Sequence, residues 1–280
     1  MSKSKKNNSI MKWIASIVIV TALVIGNNWG LFTNSNSTEE TPQQAVFNQS
    51  RTTGMEIPIH SKSESKGQVI SRTGYTLSYN DQTRTPNWVA WELTREETRG
   101  KEDRSNEFYP DPQVKGKKVE MYDYSRSGYD RGHMAPAGDM KWNGKAMKES
   151  FYMSNICPQD HELNKGDWND LEIKTREWAR RYGKAYIACG PIYIDGKSIK
   201  TIGSSQVAVP HAFFKAILIN KKGTPIAMGF YFKNESGHRD LQEYLISIDE
   251  LEKLTNLDFF SLLPDEVEDK IEKTAVKELP

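Results

Sequence analysis

Asp130, Arg131, Gly132 and His133 follow one another, and Met134-Ala135-Pro136 then stops regular structure. Downstream, Ser154-Asn155-Ile156-Cys157-Pro158-Gln159 and the run Leu163 to Glu172 add amides and a carboxylate. A histidine base, an arginine for an anion and oxygen ligands for a hard cation are the parts that phosphodiester hydrolysis needs. Such an ester is an anion, so hydroxide approaches it poorly, and its alkoxide is a poor leaving group. Catalysis therefore calls for a base to deprotonate water, cations over the developing charge and stabilisation of the departing oxygen.

His133 is the natural base, with an unperturbed pKa near ~6.5. Gly132 is expected to let the backbone turn tightly and expose the ring. Arg131 and Arg104 are candidate phosphate clamps, because a guanidinium forks onto two oxygens. On a continuous helix Asn164 and Glu172 would stand roughly 80° apart at ~3.6 residues per turn, and Asn155 lies in a segment that reads as a strand. Amide oxygens and a carboxylate, without a Cys or His cluster, point to Mg²⁺ rather than zinc. Asn164 fits a direct ligand, with Glu172 and Asn155 holding metal-bound waters or the histidine; Mn²⁺ is expected to substitute. Several neighbours have blander readings. Arg104 alone also reads as a solvated loop charge, with Arg99 nearby as the alternative. His161 reads as a surface histidine, and Asp130 as orienting Arg131 or the backbone. Lys141, Lys145, Arg176, Arg180 and Arg181 would suit a nucleic-acid backbone, yet each alone reads as a solvated helix face.

These residues need a scaffold. At 280 residues, with 37% hydrophobic and 27% charged, the chain has the composition of an ordinary globular protein. Lys3, Lys5, Lys6 and Lys12 make the first twelve residues basic, Asp265 to Pro280 is acidic, and the middle is neutral. A nucleic-acid site must then be a local basic patch. Cys157 and Cys189 are too few for a disulfide scaffold and read as two buried thiols, with one disulfide open if the chain is exported. The basic start before the apolar run Trp13–Ile25 fits an export signal or membrane anchor over residues 1–32. Its product is expected to be secreted, periplasmic or anchored facing outward. Residues 33–66 read as a flexible linker that includes a solvated His60.

From Gly67 the patterning becomes structural. Short strands are expected at 69–72, 75–79, 88–93, 151–157, 185–189, 192–194, 213–219 and 226–232, with a hairpin around Tyr129–His133. Helices are expected at 143–149, 167–182 and 240–255; in the second, Trp168, Leu171, Thr175, Trp178 and Tyr182 make one apolar face. Asn164 or Asp167 would cap its start and Gly183 would stop it. Residues 67–264 then form one α+β domain with an antiparallel sheet core, and 265–280 an acidic, frayed tail.

The three ordered motifs DRGH-x-AP, YxSNxxPQ and LNxGxWxxLE resemble those of the DNA/RNA non-specific endonuclease family. The resemblance covers about residues 67–262 and is densest from Ser125 to Glu172. It implies a ββα-metal core, with His133 as general base, Asn164 as metal ligand and Asn155 as the strand asparagine. Glu172 takes the place of the helix glutamate, Arg131 of the motif arginine and Arg104 of the upstream arginine. It also implies sugar-non-specific cleavage with 5′-phosphate products. The partners to expect are DNA and RNA, a membrane if residues 1–32 are retained, and a second copy of the chain in a homodimer. A nucleic-acid-binding protein of this fold without catalysis, and a hydrolase of smaller phosphodiesters, are the competing readings.

Overall fold

The computed structural model describes residues 54–60 and 67–280. The N-terminal segment 1–32 and most of the linker expected over 33–66 lie outside the described residues. Among the described residues no helix is long and apolar enough to cross a membrane.

Strand β1 (Ile59–His60) precedes β2 (Gln68–Ser71), β3 (Thr76–Asn80) and β4 (Thr85–Thr94). A polar stretch leads to β5 (Asp130–His133), helix α1 (Gly144–Ser150) and β6 (Ile156–Gln159). Next come the short α2 (His161–Lys165), the long α3 (Asp167–Tyr182) and β7 (Lys184–Ile192). The small pair β8 (Thr201–Ile202) and β9 (Val207–Ala208) precedes the hairpin of β10 (Ala212–Lys221) and β11 (Thr224–Lys233). The chain closes with β12 (Leu245–Ile246), α4 (Ile248–Thr255), β13 (Leu257–Asp258) and α5 (Asp265–Glu272).

Seven strands form one sheet in the order β12-β11-β10-β7-β4-β3-β2, every neighbouring pair antiparallel. Side chains alternate across a sheet, so position along the strand sorts two cores. Val89, Trp91 and Leu93, with Ile187, Cys189, Phe213 and Ile217, face α3 and its Trp168, Leu171 and Trp178. Trp88, Ala90, Tyr186, Phe214 and Leu218 face the other way, onto Ile248 and Leu251 of α4. With both faces covered, the central strands read as near-continuous apolar runs instead of alternating ones. The α+β arrangement with an antiparallel core is as expected, and Cys157 and Cys189 are free, buried thiols.

Helix α3 has the expected bounds and buries Trp168, Leu171, Thr175 and Trp178. Its start differs. Gly166 ends α2 and begins α3 with no side-chain cap, and a Cβ there would sit 2.6 Å from the Glu162 carbonyl oxygen. Asn164 and Glu172 thus stand on two helices either side of a break, and angles reckoned along one helix do not apply to them.

Four further expectations are corrected. The helix over 240–255 is a 3₁₀ turn (Leu241–Tyr244), then β12, then α4, which starts at a capping box where Ser247 and Glu250 bond each other's backbone N–H. Asn155 closes a 3₁₀ turn (Met153–Asn155) ahead of β6 and is not in the strand. His60 belongs to β1, which pairs with β13. The acidic end is docked as well: Trp178 Nε1 donates to the Pro280 carbonyl at 2.9 Å, and the Gln242 side chain binds the backbone of Val276, Lys277 and Leu279. Val276 and Leu279 pack on the core, an apolar anchor hidden in a charged segment.

Candidate active site

Strands β5 and β6 pair with Gly132 opposite Cys157 and His133 opposite Ile156. A Cβ on Gly132 would meet the Gln159 side chain at 2.2 Å. The glycine therefore serves the close approach of the two strands, and it does not expose the ring: His133 is only 8% accessible. Its imidazole lies between Phe151 and Phe108, with ring centroids 4.7 and 5.4 Å away. Its carbonyl accepts from Trp168 Nε1 at 3.3 Å, which ties the base to α3. Its Nε2 is buried and has no hydrogen-bond partner.

The rings that enclose the imidazole also carry the guanidiniums. Arg131 lies 4.7 Å from the Phe108 centroid and Arg104 lies 5.2 Å from that of Phe151. Arg104, exposed on its loop, therefore stands beside the histidine, whereas Arg99 closes the separate 3₁₀ turn Glu97–Arg99. Burial first, then the charges of Arg104 and Arg131, push the His133 pKa down to about 3. The loop bearing Phe108 is fixed from below by Asp111, whose carboxylate accepts from Arg72, the Ser154 hydroxyl and the Gln113 N–H.

Asn155 is completely buried, and its side chain is spent on the backbone. Oδ1 accepts from Ala135 N–H at 2.9 Å, while Nδ2 donates to the carbonyls of Ala135 and Ser150 at 2.9 and 2.8 Å. It has no free atom for a water or a substrate. It clamps the segment after His133, a positioning task in place of the water-holding one expected. Asn155→Ala should leave those buried groups unpaired and cost roughly 3–5 kcal/mol of stability. Urea unfolding checks this; a loss below ~1 kcal/mol would show that the clamp is dispensable.

Asn164 is half-buried and gives its amide nitrogen to Asp130 Oδ2 at 2.9 Å, which leaves Oδ1 as its available ligand atom. The same Asp130 oxygen faces His161 Nδ1 at 2.9 Å. Asp130 thus orients the amide, not Arg131, and His161 has a partner although its side chain is largely exposed. Glu172 stands one turn beyond Trp168. Burial pushes its pKa up to about 7, against the pull of Lys215, Arg176 and Arg104 and with a push from Asp139.

Lys215, Asp139 and Arg176 form a floor that sequence reasoning did not find. Lys215 is 1% exposed in the middle of β10, with Nζ 4.0 Å from the Trp168 ring centroid. Asp139 accepts from Trp91 Nε1 at 3.0 Å and pairs with Arg176 at 2.8 Å. Arg176 is therefore committed inward and does not track a nucleic-acid backbone, while Lys141, Lys145, Arg180 and Arg181 are exposed. A readable signal existed: a lysine inside the apolar run Ala212–Ile219 must find compensating charge once buried.

Comparison with known proteins bears on the whole arrangement. A family model described as DNA/RNA non-specific endonuclease matches residues 53–266. The mitochondrial nuclease EXOG of Xenopus laevis is 39% identical over 204 residues, 68% of this chain and 57% of that protein. Mitochondrial endonuclease G of Bos taurus is 36% identical over 205 residues, 69% of each chain. The mitochondrial nuclease of Saccharomyces cerevisiae is 36% identical over 233 residues, 75% of this chain and 69% of that one. The chain thus spans little more than half the length of its EXOG relative. A chain of the solved EndoG/EndoGI inhibitor complex superposes with a TM-score of 0.67 at 32% identity, covering 71% of this chain and 87% of that one. Each of these three curated relatives is named as mitochondrial, and this overturns the expectation that residues 1–32 send the chain to the cell exterior. The family model spans the motif residues Asp130–His133, Asn155, Asn164 and Glu172 and most of the described sheet, and on that match this chain belongs to the DNA/RNA non-specific endonuclease family.

Proposed function

We propose that the protein is a Mg²⁺-dependent endonuclease that hydrolyses phosphodiester bonds in DNA and RNA and leaves 5′-phosphate ends, with the activity residing in residues 67–264. One observation carries this reading. A buried imidazole with an unpartnered Nε2 lies against two rings that each hold an arginine.

His133 Nε2 takes a proton from the water that attacks phosphorus; the new P–O bond forms as the bond to the 3′ oxygen breaks, and that oxygen takes a proton from a water as it leaves. Arg104 and Arg131 fork onto the non-bridging oxygens. The bound anion offsets the two cations that depress His133, so substrate itself raises the basicity of the imidazole. Aromatic burial excludes bulk water around it. Contacts of this kind address the backbone and not the bases, so little sequence preference is expected.

The donor set fits a hard divalent cation. Asn164 Oδ1 and the Glu172 carboxylate are oxygen donors, and a carboxyl held near neutrality by burial gains from a cation beside it. Asn164 and Glu172 would hold Mg²⁺, or Mn²⁺ in its place, which would supply charge neutralisation to the phosphodiester during cleavage. Asn164→Ala should raise the Mg²⁺ concentration needed for half-maximal rate and lower the maximum. Wild-type activity that survives excess EDTA unchanged would refute the metal requirement.

Assays with plasmid, RNA and a bis-aryl phosphodiester, each with and without Mg²⁺, test the function. Nicking of the first two should require the cation, and 5′ ends should accept label only after phosphatase treatment. Turnover of the small diester alone would identify a different hydrolase; binding without any cleavage would identify an inactive member of the fold.

A further inference from the structure

The opposite face of the sheet carries a second group of carboxylates, where α4, β13 and α5 meet. Asp249 and Glu252 of α4 and Glu272 of α5 each present an oxygen within 4.8 Å of the other two. Asp258 of β13 and Glu268 of α5 add negative charge beside them. Among the described residues, the nearby lysine Lys273 is paired with Asp269 and not with any of these five. Glu252 Oε1 accepts from the Phe259 N–H at 2.9 Å, which leaves Oε2 for another partner.

The independent observation is Glu272 itself. It is 5% exposed, its carboxylate points into the group, and its Oε1 is buried without a hydrogen-bond partner. Burying an ionised carboxylate unpaired is among the costliest arrangements in a protein, and among the described residues no salt bridge reaches any of the five acids. Each unsatisfied buried group of this kind calls for an absent partner, a proton or an ion.

We propose that Asp249, Glu252 and Glu272 form a Ca²⁺ site, separate from the catalytic centre, that clips α5 onto α4. The donors are all oxygen, which selects a hard cation. They come from two different helices, with Glu252 and the neighbouring acids able to add oxygens, which suits the flexible six- to eight-fold coordination of Ca²⁺ better than the strict octahedron of Mg²⁺. The unused oxygen of Glu252 and the nearby Asp258 and Glu268 offer further ligands or hold bound water.

A proton is the rival occupant, and pH separates the two. Protons and Ca²⁺ compete for the same carboxylate oxygens, so Ca²⁺ should bind more tightly as pH rises.

The test is thermal unfolding of the full chain with and without CaCl₂ at pH 5 and pH 8.5, together with Ca²⁺ titration by calorimetry. At a hundredfold excess over Kd, Ca²⁺ should raise the wild-type Tm by about 5–10 °C at pH 8.5 and far less at pH 5. The shift should vanish in Glu272→Gln and persist in Asn164→Ala, which alters only the catalytic cation site. If Glu272→Gln fails to fold, Asp249→Asn at a half-exposed position gives the same reading. No Ca²⁺ shift at pH 8.5 would assign the cluster to protons and overturn the proposal. So would a shift that survives Glu272→Gln, or one that disappears in Asn164→Ala.

Discussion

Replacement of His133 by alanine is expected to cut the cleavage rate by about 10²–10⁴-fold or more, the usual contribution of a positioned base. Affinity for an uncleaved duplex should remain close to wild type, because Arg104 and Arg131 rest against Phe151 and Phe108 and neither needs the imidazole for support. A pH series adds the stability signature of an imidazole buried in the neutral form. Burial and the two arginines hold the native imidazole near 3, while the unfolded chain titrates near ~6.5. Below about 6.5 the unfolded state takes up a proton that the native state refuses, so the wild type loses stability as pH falls from there towards 3. His133→Ala lacks that loss, and the stability difference between the two proteins should shrink on acidification. Single-turnover cleavage at near wild-type rate would remove His133 from the mechanism.

The parts of this site that the sequence disclosed are those whose chemistry is local. Asp130 to His133 are consecutive, so residue order alone groups them, whereas Asn164 and Glu172 stand on two helices either side of Gly166 and their spacing along one helix was misleading. The periodic burial of α3 survives in the structure because it rests on 3.6-residue geometry alone. What stayed hidden depends on contacts distant in sequence. Asn155 reads as a functional amide until its three bonds to Ala135 and Ser150 are seen. The Asp111–Arg72 pair joins residues 39 apart, and nothing local announces it. The break at Gly166 was not foreseen, since Asn164 or Asp167 was expected to cap the helix, and the close approach of the Glu162 carbonyl is what demands a glycine there. The acidic end was misjudged for a different reason. Charge on its exposed face masked Val276 and Leu279, which anchor it to the core.

Lys215 is the residue through which the floor of the site should make itself felt. Its side chain is buried against Trp168, the same indole that bonds the His133 carbonyl, and it is the largest charge holding Glu172 down. Lys215→Met keeps the length and apolar stem of the side chain while deleting the charge. It leaves Glu172 and Asp139 with Arg176 alone as their near cation inside the fold, and breaking a buried charge set this way costs about 3–5 kcal/mol. The activity readout is the acid limb of the pH–rate profile. Glu172 sits at about 7, so the ionised form suited to a cation grows as pH rises through neutrality. Without Lys215 that limb should move to higher pH. Added Mg²⁺ should draw it back down, since metal and proton compete for one carboxylate. A titration of His133 would move the limb in the same upward sense, because deleting a nearby positive charge also raises an imidazole pKa, so the response to Mg²⁺, which competes with the proton directly only at the carboxylate, is what separates the two. The double variant Lys215→Met/Glu172→Gln should regain part of the lost stability, as both members of the buried pair are then neutral. If the acid limb of Lys215→Met superimposes on that of the wild type at every Mg²⁺ concentration, the lysine only fills space under the tryptophan.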